Sequence, residues 1–161
     1  MLAAQLDGLQ TLIGSIEKRI KMQHRSNEAS MRLETIPGIG IIGATAIAAT
    51  VTDVTMFRSG RDFAAWIGLV PREDSTGGKK KLGPISKQGD RYLRRILVVG
   101  AHSVLQRAKQ NPMKYPWLTQ LLARRPFKVV AIALANKMAR VAWALLAHGG
   151  TYRAPAPAAT A

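Results

Sequence analysis

Three observations predict a mainly α-helical fold. Apolar residues recur at steps of three and four along several segments, the breaks between them carry Pro, Gly, Asn or Asp, and no strand pattern of any length competes. With 161 residues, 47% of them apolar, the chain can bury a core as one domain, or as a small domain carrying an extra helix. The expected organisation is a coiled-coil or dimerisation helix over 1–30 and a compact helical domain over 31–150. A helix-hairpin-helix is placed at 33–51, and an Ala/Pro-rich tail over 151–161 is expected to be disordered.

The first helix rests on Leu2, Leu6, Leu9, Ile13, Ile16 and Ile20, spaced 4, 3, 4, 3 and 4. That is a narrow a/d seam, which suits one partner helix better than a broad core; the alternative is a helix packed on its own domain. A polar stretch, His24 to Ser30, separates it from Leu33-Glu-Thr-Ile-Pro37-Gly38-Ile-Gly40-Ile-Ile-Gly43-Ala44, which reads as helix, tight turn, helix to about Val51. Asp53 to Arg61 reads as a loop, and Asp62 as the cap of a helix through Ile67. Gly68 to Gly89 is the least regular stretch. Asp90 then caps a helix to about Lys109, with Leu93, Ile96, Leu97, Ala101, Val104 and Leu105 inward, ended by Asn111-Pro112. A short helix over 116–123 and a long one over 127–147, closed by Gly149-Gly150, complete the set. On the last helix the apolar set is read as Val129, Ile132, Ala133 and Met138. Trp66, Trp117 and Trp143 are read as structural.

Charge separates the halves. Lys and Arg number 24 against 9 Asp and Glu, and all nine acids lie within residues 1–90, beside 12 basic groups; residues 91–161 carry 12 basic groups and no acid. Such an excess draws polyanions. The absence of cysteine excludes a disulfide framework and a thiolate zinc site, and His24, His102 and His148 are too scattered for a metal pair on one helix. The longest apolar stretch, 127–147, is interrupted by Lys128, Asn136, Lys137 and Arg140, so no membrane span is expected. The start has no basic region of a signal peptide. A cytoplasmic, bacterial protein is the expectation.

Two motifs carry chemistry. In Ile36-Pro37-Gly38-Ile39-Gly40, a glycine-rich hairpin opens backbone N–H groups at a helix start, where Gly38 and Gly40 allow a phosphate oxygen to dock; the alternative is a helical corner without a ligand. The second runs from Asp74 to Arg95. Ser75, Thr76 and Ser86 sit among glycines, with Lys79, Lys80, Lys81, Lys87, Arg91, Arg94 and Arg95 placed to neutralise phosphodiester oxygens. Arg91, Arg94 and Arg95 occupy neighbouring positions of one helix start. No evident general base accompanies the serines, so chemistry alone favours an ordinary solvated loop with a basic rim. Arg124, Arg125, Lys128, Lys137 and Arg140 read as a solvated face.

The order of these motifs resembles a known family. Ile-Pro-Gly-Ile-Gly is followed by Phe57-Arg-Ser-Gly-Arg-Asp-Phe-Ala-Ala-Trp-Ile-Gly-Leu-Val-Pro71, by Ser75-Thr-Gly-Gly-Lys79, and by Gly83-Pro-Ile-Ser-Lys-Gln-Gly-Asp-Arg-Tyr-Leu-Arg-Arg95. This is similar to the C-terminal domain of transposases of the insertion-sequence 110/116/902 family, over roughly residues 32–148 through Ala131 to Lys137. The resemblance implies site-specific DNA recombination, guided in the family at large by a structured RNA. It implies a serine nucleophile that links covalently to DNA, at Ser75 before Thr76 or Ser86. It also implies an N-terminal RNase H-like domain whose four acids hold Mg²⁺. The chain departs from the family in lacking that acidic domain, and Glu73, Asp74 and Asp90 do not replace it. The expectation is a chain that binds DNA, associates through residues 2–20, holds no metal by itself and does not catalyse strand exchange alone. The competing readings are a non-catalytic nucleic-acid-binding module and a basic assembly protein with a vestigial serine loop.

Overall fold

The first helix, α1 (Leu2–Ser26), runs past its apolar seam into the stretch expected to separate it from the rest. Asn27 breaks it in extended backbone, and its side chain accepts the Ser30 N–H at 2.9 Å, so α2 (Glu28–Glu34) starts at once. The computed structural model describes residues 1–73 and 82–154. Polar His24 and Ser30 are buried, not solvated: the imidazole meets Ser30 Oγ at Nδ1 and Glu34 Oε2 at Nε2, both at 2.8 Å. Ser30 Oγ also lies 3.3 Å from Thr45 Oγ1 on α3 (Ile41–Thr50). The network satisfies each buried group and ties the last turn of α1 to α2 and α3. Along the rest of α1, Leu2, Leu6, Leu9, Ile13 and Ile16 are exposed.

A short 3-10 turn, Val54–Met56, follows α3. Asp53 caps it, and the Thr55 hydroxyl and N–H hold that exposed carboxyl below its ordinary pKa. The next helix, α4 (Gly60–Ile67), begins earlier than expected, because Ser59 and not Asp62 is the N-cap; Ser59 Oγ accepts the Asp62 N–H at 3.2 Å. Asp62 sits in the first turn and takes Arg58 at 3.0 Å. In place of a wholly irregular loop, β1 (Pro71–Glu73) pairs antiparallel with β2 (Leu82–Ile85). Pro71 faces Ile85 and Glu73 faces Leu82, so β2 holds one extra residue. Gly83-Pro84 supplies the bulge, since proline has no N–H for a regular ladder.

The last three helices are α5 (Arg91–Gln110), α6 (Pro116–Arg124) and α7 (Phe127–His148), with the Asp90 cap where expected. The core lies between α5 and α7, with α2, α4 and α6 also against α7. On α5 the buried set follows the expectation, with Ile96 only partly covered. On α7 the face is corrected. Val130, Ala131, Leu134, Ala135, Met138, Ala139, Ala142 and Leu145 are buried, whereas Val129 and Ala133 are exposed and Ile132 is half-buried. The alanines form a smooth ridge that lets neighbouring helices approach, and close packing outweighs the larger side chains on the other side. By length and composition alone α7 is apolar enough to cross a membrane, but in this fold its small-residue face is core.

The turn between α2 and α3 rests directly on α5. A Cβ on Gly38 would lie 2.8 Å from the Gly100 carbonyl oxygen, and one on Gly100 would overlap that of Gly38. Gly100→Ala is therefore expected to destabilise the chain by about 1–3 kcal/mol. The check is a lower urea midpoint at unchanged slope.

Candidate nucleic-acid interface

Around residues 74–81 the described chain is clamped on both sides. Gly68 ends α4 with φ +83, and Gly89 precedes α5 with φ +84, a region that other residues rarely enter. The end of α4 and the stretch before α5 nearly touch through their backbones: a Cβ on Gly68 would overlap the Gln88 carbonyl, and one on Gly89 would overlap that of Trp66. Lys87 N–H donates to Gly68 O at 3.2 Å and Ser86 N–H to Val70 O at 2.9 Å, extending the pairing below the two strands. From α7, Asn136 Nδ2 donates to Leu69 O at 3.1 Å. The root of the hairpin is thereby tied to α4, α5 and α7.

The predicted site residues separate in this setting. Ser75, Thr76, Lys79, Lys80 and Lys81 lie outside the described residues, between β1 and β2 in the chain. Ser86 stands at the root, half-buried, with its carbonyl accepting Arg72 Nη2 at 3.2 Å. Lys87 is exposed and left-handed at φ 55, the one non-glycine residue with positive φ among the described residues. Arg91 and Arg95 are exposed on the first turns of α5. Arg94 is not with them: its Nη1 donates to Ile67 O at 2.9 Å and Gln88 O at 3.3 Å, closing the end of α4. Arg72, on β1, is an exposed cation of this edge that sequence reasoning passed over; a lone arginine in Pro-Arg-Glu carries no signal of its own. Asp90 is occupied by the Leu93 N–H at 2.8 Å. The edge therefore presents Arg72, Lys87, Arg91 and Arg95, with Glu73 as its exposed acid.

The two glycines of the other motif also diverge. Gly38 turns toward α5 and α7, where it meets Gly100 and Val104 of the first and Met138 of the second. Gly40 is exposed, starts α3 without a side-chain cap, and has open space where a Cβ would stand. Gly43, one turn on, packs on Ile96 of α5. Both motifs thus rest on α5, separated by roughly 13 Å of helix from Arg91 to Gly100. Among the described residues no three His, Asp or Glu side chains converge to hold a metal ion, so this part of the chain does not fit the Mg²⁺ that the family resemblance implies.

Comparison with known proteins agrees with the motif order. Residues 30–116 match the profile of the family described as Transposase IS116/IS110/IS902. The chain is 50% identical over 151 residues to a Pseudomonas aeruginosa protein that carries the name of a family 20 transposase, covering 91% of this chain and 45% of that protein. It is 45% identical over 141 residues to the transposase for insertion sequence element IS1328 of Yersinia enterocolitica, covering 87% and 42%. With the transposase for IS1111A of Coxiella burnetii the identity is 41% over 142 residues, covering 88% and 39%. The chain thus spans about two-fifths of the length of these relatives. On this match and on its ordered motifs, the chain belongs to the IS116/IS110/IS902 family of transposases.

Proposed function

We propose that this chain supplies the part of a transposase that grips DNA and carries its serine nucleophile. The observation that supports this reading most is the clamped hairpin root. The chain on either side of a segment rich in hydroxyls, glycines and lysines is fastened to helices, and Arg72, Lys87, Arg91 and Arg95 stand exposed on those flanking residues. Phosphate oxygens need such cations, and a rigid base limits the positions a nucleophile can take. In the proposed reaction Ser75 Oγ attacks a DNA phosphorus. The new Oγ–P ester forms as the bond to the leaving sugar oxygen breaks; that oxygen takes a proton, and one phosphodiester replaces another. Thr76 and Ser86 are the lesser candidates, and the Arg72 contact at the Ser86 carbonyl favours a structural part for Ser86. Mg²⁺ chemistry and guidance by a structured RNA are proposed for the remaining length that the relatives possess. Alone, the chain binds DNA and does not exchange strands.

The exposed seam of α1 supports association through residues 2–20, since five large apolar side chains in solvent are costly unless a second helix covers them. The occupant proposed is a second copy of this chain.

These readings make separate expectations. With an acidic RNase H-like domain supplied in trans, a covalent protein–DNA adduct is expected on a denaturing gel; Ser75→Ala abolishes it and Thr76→Ala or Ser86→Ala does not. An adduct that survives Ser75→Ala moves the nucleophile elsewhere. Arg91→Ala with Arg95→Ala should lower the dependence of log affinity for duplex DNA on log salt by about 2 and leave the melting temperature unchanged. Arg94→Met should instead lose about 1–3 kcal/mol of stability, measured by urea unfolding, because two carbonyl oxygens lose a charged donor. By light scattering the parent chain should be dimeric or larger, and Leu9→Lys monomeric; an unchanged mass removes α1 as the interface.

A further inference from the structure

A groove of about 890 Å³ lies between the start of α4, α6, α7 and the segment Thr151–Arg153. Its charge has one sign: Arg61, Lys137, Arg140 and Arg153 line it, and no Asp or Glu does. None of the four forms an ion pair among the described residues, and Asp62, the carboxylate next to Arg61 in the chain, is taken by Arg58. Arg61, Arg140 and Arg153 are exposed. Cations gathered in this way repel one another in the folded state, and no carboxylate among the described residues offsets that cost.

Aromatic rings stand among these charges. Trp143 has a structural use, since its Nε1 donates to Phe57 O at 3.2 Å. Trp117 does not pack as a core residue: it is 44% exposed, with the Lys137 ammonium 4.2 Å from its ring centroid. The cation–π contact holds the indole in place and adds charge beside it. The wall formed by Thr151–Arg153 is also fastened, because Tyr152 N–H donates to Thr35 Oγ1 at 2.9 Å.

We propose that this groove binds an unpaired nucleic-acid strand, with phosphates on Arg61, Arg140 and Arg153 and a base against Trp117. Cations that track a backbone, combined with an aromatic face for stacking, are what a single strand requires. A duplex hides its base faces, so it offers Trp117 nothing to stack on. None of Arg72, Lys87, Arg91 and Arg95 lines the groove, so the proposal uses other cations than the hairpin root does and does not rest on that reading. Asn136 both lines the groove and holds the Leu69 carbonyl just before β1.

The test is fluorescence anisotropy of the full chain with labelled oligo(dT), oligo(U) and a mixed-sequence duplex over a salt series. Arg61→Ala with Arg140→Ala should weaken single-strand binding about tenfold and lower its salt slope by about 1.4, with duplex binding unchanged within about twofold. Trp117→Ala should cost fivefold or more in single-strand affinity, and Trp117→Phe little. Arg61→Lys with Arg140→Lys keeps the charge and should keep most of the binding, separating contact from fold. Tight binding of either oligonucleotide supports the site, and the tighter of the two identifies the sugar it accepts. Absence of single-strand binding overturns the proposal and leaves the serine-hairpin reading standing if the duplex still binds. So does an equal loss for single strand and duplex in the alanine pair, which would mean one shared site.

Discussion

Along α5 the main chain meets two turns with no side chain between them. Gly100 receives the turn after α2, and the stretch before Arg91 passes so close to the end of α4 that Gly68 and Gly89 leave no room for a Cβ. Contacts between backbones are stiff, because no rotamer can absorb a displacement. The direction of the hairpin formed by β1 and β2 follows from this constraint, as does the placement of Lys87 in a strained conformation. Arg94 then completes the closure by satisfying the carbonyls of Ile67 and Gln88 that the turn leaves without partners.

The opposite side of the core depends on small residues in another way. Alanines at 131, 135, 139 and 142 give α7 a low ridge, and Gly60 lets α4 lie against the backbone at Arg140. A helix that passes for a membrane span by hydropathy becomes the shared wall of four other helices. Its outward side is then free to hold Lys137 and Arg140, which explains how so apolar a helix carries charge in its middle. The buried His24–Ser30 pair does what apolar packing does elsewhere, fixing α1 to α2 and α3 through directional bonds.

Much of this was legible in the residues. The helices, the Asp90 cap and the Asn111-Pro112 stop follow from periodicity and capping, which are local effects. The hairpin of strands was not, because its short segments carry no alternation and exist only by pairing with each other. The inward face of α7 was misread for a similar reason: hydrophobicity ranks Val129 and Ile132 above alanine, and only a neighbour's backbone makes alanine the better choice. In the candidate site, charge and spacing grouped Arg91, Arg94 and Arg95, yet one of the three spends its charge on protein carbonyls.

The sequence by itself determined the helical class, the family, and the concentration of positive charge in the second half, since each is carried by residue type and order. Tertiary structure alone decided which cations face solvent, which glycine of the hairpin is buried, and that Arg61, Trp117, Lys137, Arg140 and Arg153 share one groove. Those residues are dispersed over more than ninety positions. No local rule connects them, because what gathers them is the packing of α4 and α6 on α7 and the return of the chain beyond Gly150.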